Sequence, residues 1–176
     1  DQNIIRESVT LHRGTVPGGG KTIIGNNNYF MAYSHVAHDC HIGNQVVMAN
    51  NATLGGHILI EDHAIIGGLV AIHQFCRIGA HAFIGGLSGI NQDMPPYMLA
   101  QGARTKLYGL NTVGLKRHHF SEETLRALKK SYRTIFRSGL TLEKAIKQLS
   151  EDNISRVPEV QHLLQFIQNS KRGISR

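Results

Sequence analysis

Read in sixes from Ile23, the chain runs IIGNNN, YFMAYS, HVAHDC, HIGNQV, VMANNA, TLGGHI, LIEDHA, IIGGLV, AIHQFC, RIGAHA, FIGGLS, GINQDM: twelve hexads without a slip. The second residue of every hexad is apolar, from Ile24 and Phe30 to Ile84 and Ile90. The third is Gly, Ala or Glu in nine of the twelve, and the sixth is Ser, Ala, Cys or Val in nine. Two further hexads, IIRESV and TLHRGT, come before, and VPGGGKT (16–22) interrupts the count as a projecting loop would. A period of six fits neither the 3.6 of a helix nor the alternation of an ordinary strand. It is the signature of a parallel β-helix. Each hexad makes one short strand and one turn of a triangular coil. The large aliphatic side chain fills the interior, the small sixth residue fits the corner, and glycine beside the aliphatic is expected to supply the backbone freedom the turn requires. Stacked coils pair their backbone hydrogen bonds and bury a continuous apolar column. The period does not fix the hand of the coil.

The repeat stops at Pro95-Pro96, and from Ser121 the texture is helical. Ser121 suits a cap, Glu122 and Glu123 suit a first turn, and Leu125, Leu128, Tyr132, Ile135 and Phe136 form an apolar stripe that Gly139 ends. A second helix is expected over Leu142–Leu149, and a third over about 158–169 with Pro158 near its start. The expected architecture is mainly β: a β-helix over residues 1–100 with a loop at 16–22, then a connecting segment and a small α-helical domain over 101–176. The chain opens inside a repeat, at Asp1, so further coils are expected upstream.

No run of 18 apolar residues reads as a membrane span, and no secretory signal opens the chain. Cys40 and Cys76 give no disulfide framework, so a cytoplasmic setting is expected. The formal charge of +7 calls for an anionic partner. Nucleic acid, a phosphorylated metabolite and an acidic carrier protein are the candidates, and aromatic content of 6% with no Trp argues against nucleic acid held on a base-stacking surface.

If three hexads make one coil, residues 18 apart stack one rung up, about 4.8 Å away. HVAHDC (35–40) then lies under TLGGHI (53–58), and that under AIHQFC (71–76). His38 stacks with Gly56 and Gln74, and Asp39 with His57 and Phe75, while His35 and His73 are expected close by on the same face. Four histidines on one three-rung patch beside a carboxylate allow two chemistries. One is a zinc site, since neutral imidazoles suit zinc. The other is general-base catalysis, in which His38 removes a proton and Asp39 orients the ring. Gly56, one rung above His38, would leave room for a substrate and offer a backbone N–H to an oxyanion. Cys40 and Cys76 lie two rungs apart, roughly 10 Å, too far for a disulfide. His63 and His81, also 18 apart, are expected to decorate a coil surface or to aid coil pairing.

The hexads resemble those of the left-handed β-helical hexapeptide-repeat acyltransferases. HVAHDCHIGN, ANNATLGGH, AIIGGLVAIHQFCRIGAHAFIGG and GLNTVGLKRHHFS together resemble the UDP-N-acetylglucosamine O-acyltransferases of lipid A biosynthesis, over nearly the whole chain. The resemblance implies transfer of a 3-hydroxyacyl chain from acyl carrier protein to the 3-hydroxyl of UDP-N-acetylglucosamine, with no cofactor and no metal. It implies His38 as general base, Asp39 as its partner and Gly56 as the oxyanion donor. It places His35, His57, His73 and Gln74 around the substrate, Asn111 and Arg117 at the nucleotide end, and Gly86 where acyl length is limited. It also implies a homotrimer with sites between subunits, and further coils before Asp1 that carry additional sugar–nucleotide contacts. Arg104 departs from the pattern, standing where a histidine is expected. Independently of any resemblance, Arg117 offers fixed positive charge for a diphosphate. The basic face from Lys116 to Arg137 could receive an acidic carrier protein.

Three other readings stay open. One is the later N-acyltransferase of the same pathway, against which GLKRHHFS argues. Another is a zinc enzyme of the β-helical carbonic anhydrase type. The last is a scaffold with no ligand.

Overall fold

The computed structural model describes all 176 residues. Fourteen two-residue strands, from Ile4–Ile5 to Gly89–Ile90, wind into three parallel sheets. The first sheet stacks Ile4–Ile5, Tyr29–Phe30, Val47–Met48, Ile65–Ile66 and Phe83–Ile84. The second stacks Thr10–Leu11, His35–Val36, Thr53–Leu54, Ala71–Ile72 and Gly89–Ile90. The third stacks Ile23–Ile24, His41–Ile42, Leu59–Ile60 and Arg77–Ile78. Above the loop the register is 18 residues, as in Val47↔Ile65↔Phe83. Below it the seven inserted residues raise the step to 25, as in Thr10↔His35. The second residue of each strand points inward, so Phe30, Met48, Ile66 and Ile84 are all fully buried in one column.

The corners hold a surprise. The expectation that glycine supplies the unusual backbone is corrected. From Asn27 to Leu87 the left-handed conformation falls on the fifth residue of every hexad, with φ between 54° and 65°, and none of these residues is glycine. The glycines at the third position meet a different constraint, which is close approach of the next coil. A Cβ on Gly67 would lie 2.6 Å from the Gly86 nitrogen, and one on Gly55 would lie 2.8 Å from the Gln74 nitrogen. Each fifth-position residue turns its side chain outward. Successive ones stack along three edges of the prism, giving Tyr33–Asn51–Leu69–Leu87, Asp39–His57–Phe75 and Asn27–Gln45–His63–His81, and Tyr97, also at positive φ but beyond the hexads, extends the last by stacking on His81.

The strand stack also runs past the proline pair. Met98–Gln101 continues the first sheet on Phe83–Ile84, and Lys106–Leu110 returns antiparallel beside it. Four helices follow: α1 (Thr112–Arg117), α2 (Glu122–Phe136), α3 (Leu142–Ser150) and α4 (Pro158–Gln168), with a 3₁₀ turn at Asn153–Arg156. Ser121 caps α2 by accepting from the Thr124 N–H at 3.0 Å, and Leu125, Leu128, Tyr132 and Ile135 form its buried face. The α4 helix locks onto the coils. His162 bonds Tyr97 Oη at 2.8 Å and Glu61 at 3.0 Å, and the Arg77 guanidinium covers the Phe166 ring at 4.1 Å. The end of the chain returns to the last coil, where Ser170 donates to Asp93 at 2.7 Å. No helix is long and apolar enough to cross a membrane.

Gly67→Ala should destabilise the chain by about 1–3 kcal/mol, because its Cβ meets fixed backbone. Gly68→Ala, which meets only the Asn50 oxygen at 3.3 Å, should stay within about 1 kcal/mol of the parent. Urea unfolding of the two variants checks this, and equal losses would remove close approach as the reason for glycine.

Candidate active site

The edge between the second and third sheets carries the densest polar chemistry. Asp39 is the centre of it. Its side chain is 1% exposed, yet both oxygens are partnered. Oδ1 accepts from the Thr15 N–H at 2.8 Å. Oδ2 accepts from Thr15 Oγ1 at 2.7 Å and pairs with His38 Nδ1 at 2.7 Å. His57 Nε2 stands 3.7 Å away. Burial alone would raise the Asp39 pKa. The hydrogen bonds from Thr15 Oγ1, His38 and the Thr15 N–H, together with the nearby His57, hold it down at about 2. An ionised Asp39 accepting from His38 Nδ1–H leaves Nε2 as the nitrogen free to act as a base.

Sequence register alone does not supply Thr15. The loop brings it. Asp39 grips both roots of the 16–22 insertion, since its own N–H donates to Thr22 Oγ1 at 2.9 Å. Gly18 packs so closely that any Cβ there would strike the Asp39 carboxylate. Beside His38 lies a cleft of about 950 Å³ lined by Leu11, His12, Arg13, Thr15 and the loop. Such a volume suits a nucleotide-sized ligand.

Gly56 sits directly over the base, where a Cβ would lie 2.5 Å from His38 Cε1. Its N–H donates to no backbone acceptor. The His57 ring meets His38 edge-on at 5.2 Å and stacks on Phe75 at 4.6 Å. The structure thus joins His38, Asp39, Gly56 and His57. The expected four-histidine patch, however, is divided. His35 turns down to Thr10 Oγ1 at 2.6 Å and to the His12 ring at 4.7 Å. Burial, with the neighbouring His12, lowers its pKa. His73 is exposed and faces Arg172 Nη2 at 3.3 Å, and Gln74 is exposed. The reason is that the 18-residue step stacks only equal hexad positions, and these histidines occupy the first, third, fourth and fifth. Thr10 and His12 escaped the register argument because the loop changes that step to 25. Counting the inserted residues in TLHRGT–VPGGGKT would have found them.

The remaining expected residues lie on other edges. Gly86 sits between the first and second sheets, over Gly68, with the Gly68 oxygen 3.1 Å from where its Cβ would be. Asn111 caps α1, accepting from the Gly114 N–H at 3.1 Å and donating to the His81 oxygen at 3.0 Å. Arg117 is exposed at the end of α1; its neighbour Lys116 pairs with Glu122 at 3.4 Å. Arg104 borders a separate hollow with His73, Asn91 and Thr105. Cys40 and Cys76 are free and buried.

A coil stack of hexads with a buried carboxylate paired to a part-exposed histidine in an open corner is the frame of a hexapeptide-repeat enzyme, and comparison with known proteins makes it an acyltransferase. Residues 21–56 match the bacterial transferase hexapeptide model, and residues 93–175 match the second domain of UDP-N-acetylglucosamine O-acyltransferase. Proteins named acyl-[acyl-carrier-protein]–UDP-N-acetylglucosamine O-acyltransferase from Thermodesulfovibrio yellowstonii and Syntrophobacter fumaroxidans are 58% and 56% identical over the whole chain. The chain spans 68% of each of those proteins. Solved structures from Acinetobacter baumannii and Moraxella catarrhalis superpose with TM-scores of 0.96 and 0.95 at 43% and 44% identity. They too cover the whole chain and are themselves 68% covered. The chain belongs to the UDP-N-acetylglucosamine O-acyltransferase family, and its coil is the left-handed parallel β-helix of that fold.

Because the Asp39 pKa is depressed, its contribution to stability is complete above the ordinary carboxylate range, about pH 4, and is lost as pH falls toward 2. Thermal melts between pH 5 and 2 should show wild type losing stability more steeply than Asp39→Asn. Parallel curves would mean that Asp39 is not held ionised by its partners.

Proposed function

We propose that this chain carries out its family's reaction with His38 as the general base. A 3-hydroxyacyl group passes from the thioester of acyl carrier protein to the 3-hydroxyl of UDP-N-acetylglucosamine, opening lipid A biosynthesis. His38 Nε2 takes the hydroxyl proton as the oxygen attacks the thioester carbonyl. The carbonyl oxygen becomes an oxyanion and accepts from the free Gly56 N–H. Collapse breaks the C–S bond, and the carrier thiolate takes the proton back from the imidazolium. Asp39 stays ionised throughout and stabilises that imidazolium. The observation that carries this reading is the His38–Asp39 pair under an unengaged Gly56 N–H, beside a cleft of nucleotide size.

The other assigned residues have different work. His35, His57, His73 and Gln74 contact the substrates around the base. Arg117 holds the nucleotide phosphates, with Asn111 fixing the start of its helix, and Gly86 bounds the acyl chain. In one copy these groups lie on three different edges of a convex prism and cannot converge on one ligand. Neighbouring copies packed edge to edge would bring them together, which supports the homotrimer. Lys129, Arg133 and Arg137 line a cleft of about 620 Å³ between α2 and the last strand, and this supports docking of the acidic carrier protein there. The two free, buried cysteines fit a cytoplasmic setting.

The zinc reading has its own geometry, since His38, Asp39 and His57 place ligand atoms within 4.8 Å of one another. The donor set favours the base instead, because each Asp39 oxygen already accepts a hydrogen bond from Thr15.

Transfer should be assayed with 3-hydroxyacyl carrier proteins of several lengths, with and without chelator. His38→Ala should lose about 10²–10⁴-fold in turnover while keeping its fold by circular dichroism. Gly56→Ala should lose activity by displacing the ring. Activity that survives His38→Ala, or that chelator abolishes, would reject the general-base assignment.

A further inference from the structure

The edge between the third and first sheets carries a second histidine cluster that acyl transfer does not use. His63 and His81 stack one rung apart, with ring centroids 4.5 Å apart and planes 14° from parallel. The end of α1 lowers His118 onto both, at 4.7 Å from His63 and 4.8 Å from His81. One nitrogen from each ring lies within 4.8 Å of the other two. We propose that His63, His81 and His118 form a binding site for a borderline-soft divalent metal of the zinc class, separate from the His38 corner.

The chemistry of the donors fits. A tetrahedral ion with Zn–N bonds near 2.0–2.1 Å asks for ligand nitrogens about 3.4 Å apart. Because an imidazole lone pair lies in the ring plane, the stacked His63 and His81 rings must tilt out of parallel to face one ion, and the three nitrogens need to close by at most about 1.4 Å. His118 is exposed at the helix end and has the freedom to do so. His63 Nδ1 is buried and has no hydrogen-bond partner, which is rare for a buried polar atom and is relieved by a metal bond. Asp62 lies near both stacked rings and offers compensating negative charge.

An anion-binding cluster would need protonated rings, and the two stacked rings, His63 and His81, resist protonation. Burial, then the neighbouring His118, lowers the His63 pKa. Burial, then His63 and His118, push His81 down to about 4, with His162 adding to the effect. Neutral imidazoles keep the lone pairs a metal requires. Three ligands leave a fourth position for water or a further donor.

A bound ion would tie two coils to the end of α1, whose first turn is already fastened to the His81 oxygen through Asn111. It would thereby fix the helix that carries Arg117. The site does not depend on the acyl-transfer reading, since its ligands are absent from that chemistry.

Metal-stripped full-length chain should be titrated with Co²⁺ as a spectroscopic probe. One ion per chain should bind, with the visible ligand-field bands of a tetrahedral nitrogen site, and Zn²⁺ should displace it. His63→Gln and His118→Gln should each weaken binding by more than about tenfold. His118→Cys, which restores a ligand, should recover it with a shifted spectrum. His57→Gln, in the other histidine cluster, should leave binding unchanged. Absence of the bands, binding that persists in His118→Gln, or binding lost in His57→Gln would each overturn the proposal.

Discussion

Everything in this molecule depends on the left-handed corner residue. Each hexad must turn its backbone, and it does so by holding its fifth residue at positive φ. For a residue with a Cβ such a conformation costs about 1 kcal/mol or more. The cost is offset by the sheet hydrogen bonds and by the apolar column that each coil extends. Because the strained residue recurs at the same hexad position, its side chains are forced outward into ladders along the edges. One ladder is Asp39–His57–Phe75, the candidate catalytic edge. Another is Asn27–Gln45–His63–His81, extended by Tyr97, with its histidine cluster. The remaining one is apolar except for Asn51. The corner geometry that closes the coil thus also spaces the chemistry at one rung per coil.

Much of this was legible. The second-position aliphatics give the coil, and the 18-residue step places Asp39 under His57 and His38 under Gly56 without any structure. Capping at Ser121 and Pro158 locates the long helices because local chemistry decides those boundaries. What escaped the sequence is physically distinct. A hexad period says that a corner exists but not which residue turns it, and glycine's reputation for positive φ points to the wrong position. The hairpin Met98–Gln101 with Lys106–Leu110 lacks the six-residue signature because its pairing is partly antiparallel, with a register shift between Leu99 and Ala100. The α1 helix is six residues long and held mainly by the Asn111 cap and its packing, too short for periodicity to reveal. The division of the histidines follows from hexad position, which a count of residues on a face ignores.

The insertion at 16–22 shows how the site depends on one carboxylate. A seven-residue excursion from a strict coil would be expected to be loosely held. Instead Asp39 binds Thr15 at one root, accepts the close approach of Gly18, and donates its N–H to Thr22 at the other root. The same carboxylate orients His38. Its ionisation is held by the loop's own donors, so the loop and the base are coupled through a single charged group. A change at Thr15 therefore reaches the base without touching it, through the charge and position of Asp39. The inserted residues interrupt the repeat one coil below HVAHDC. From there the projecting segment both walls the cleft beside His38 and, through Thr15 at its root, donates to the carboxylate behind it.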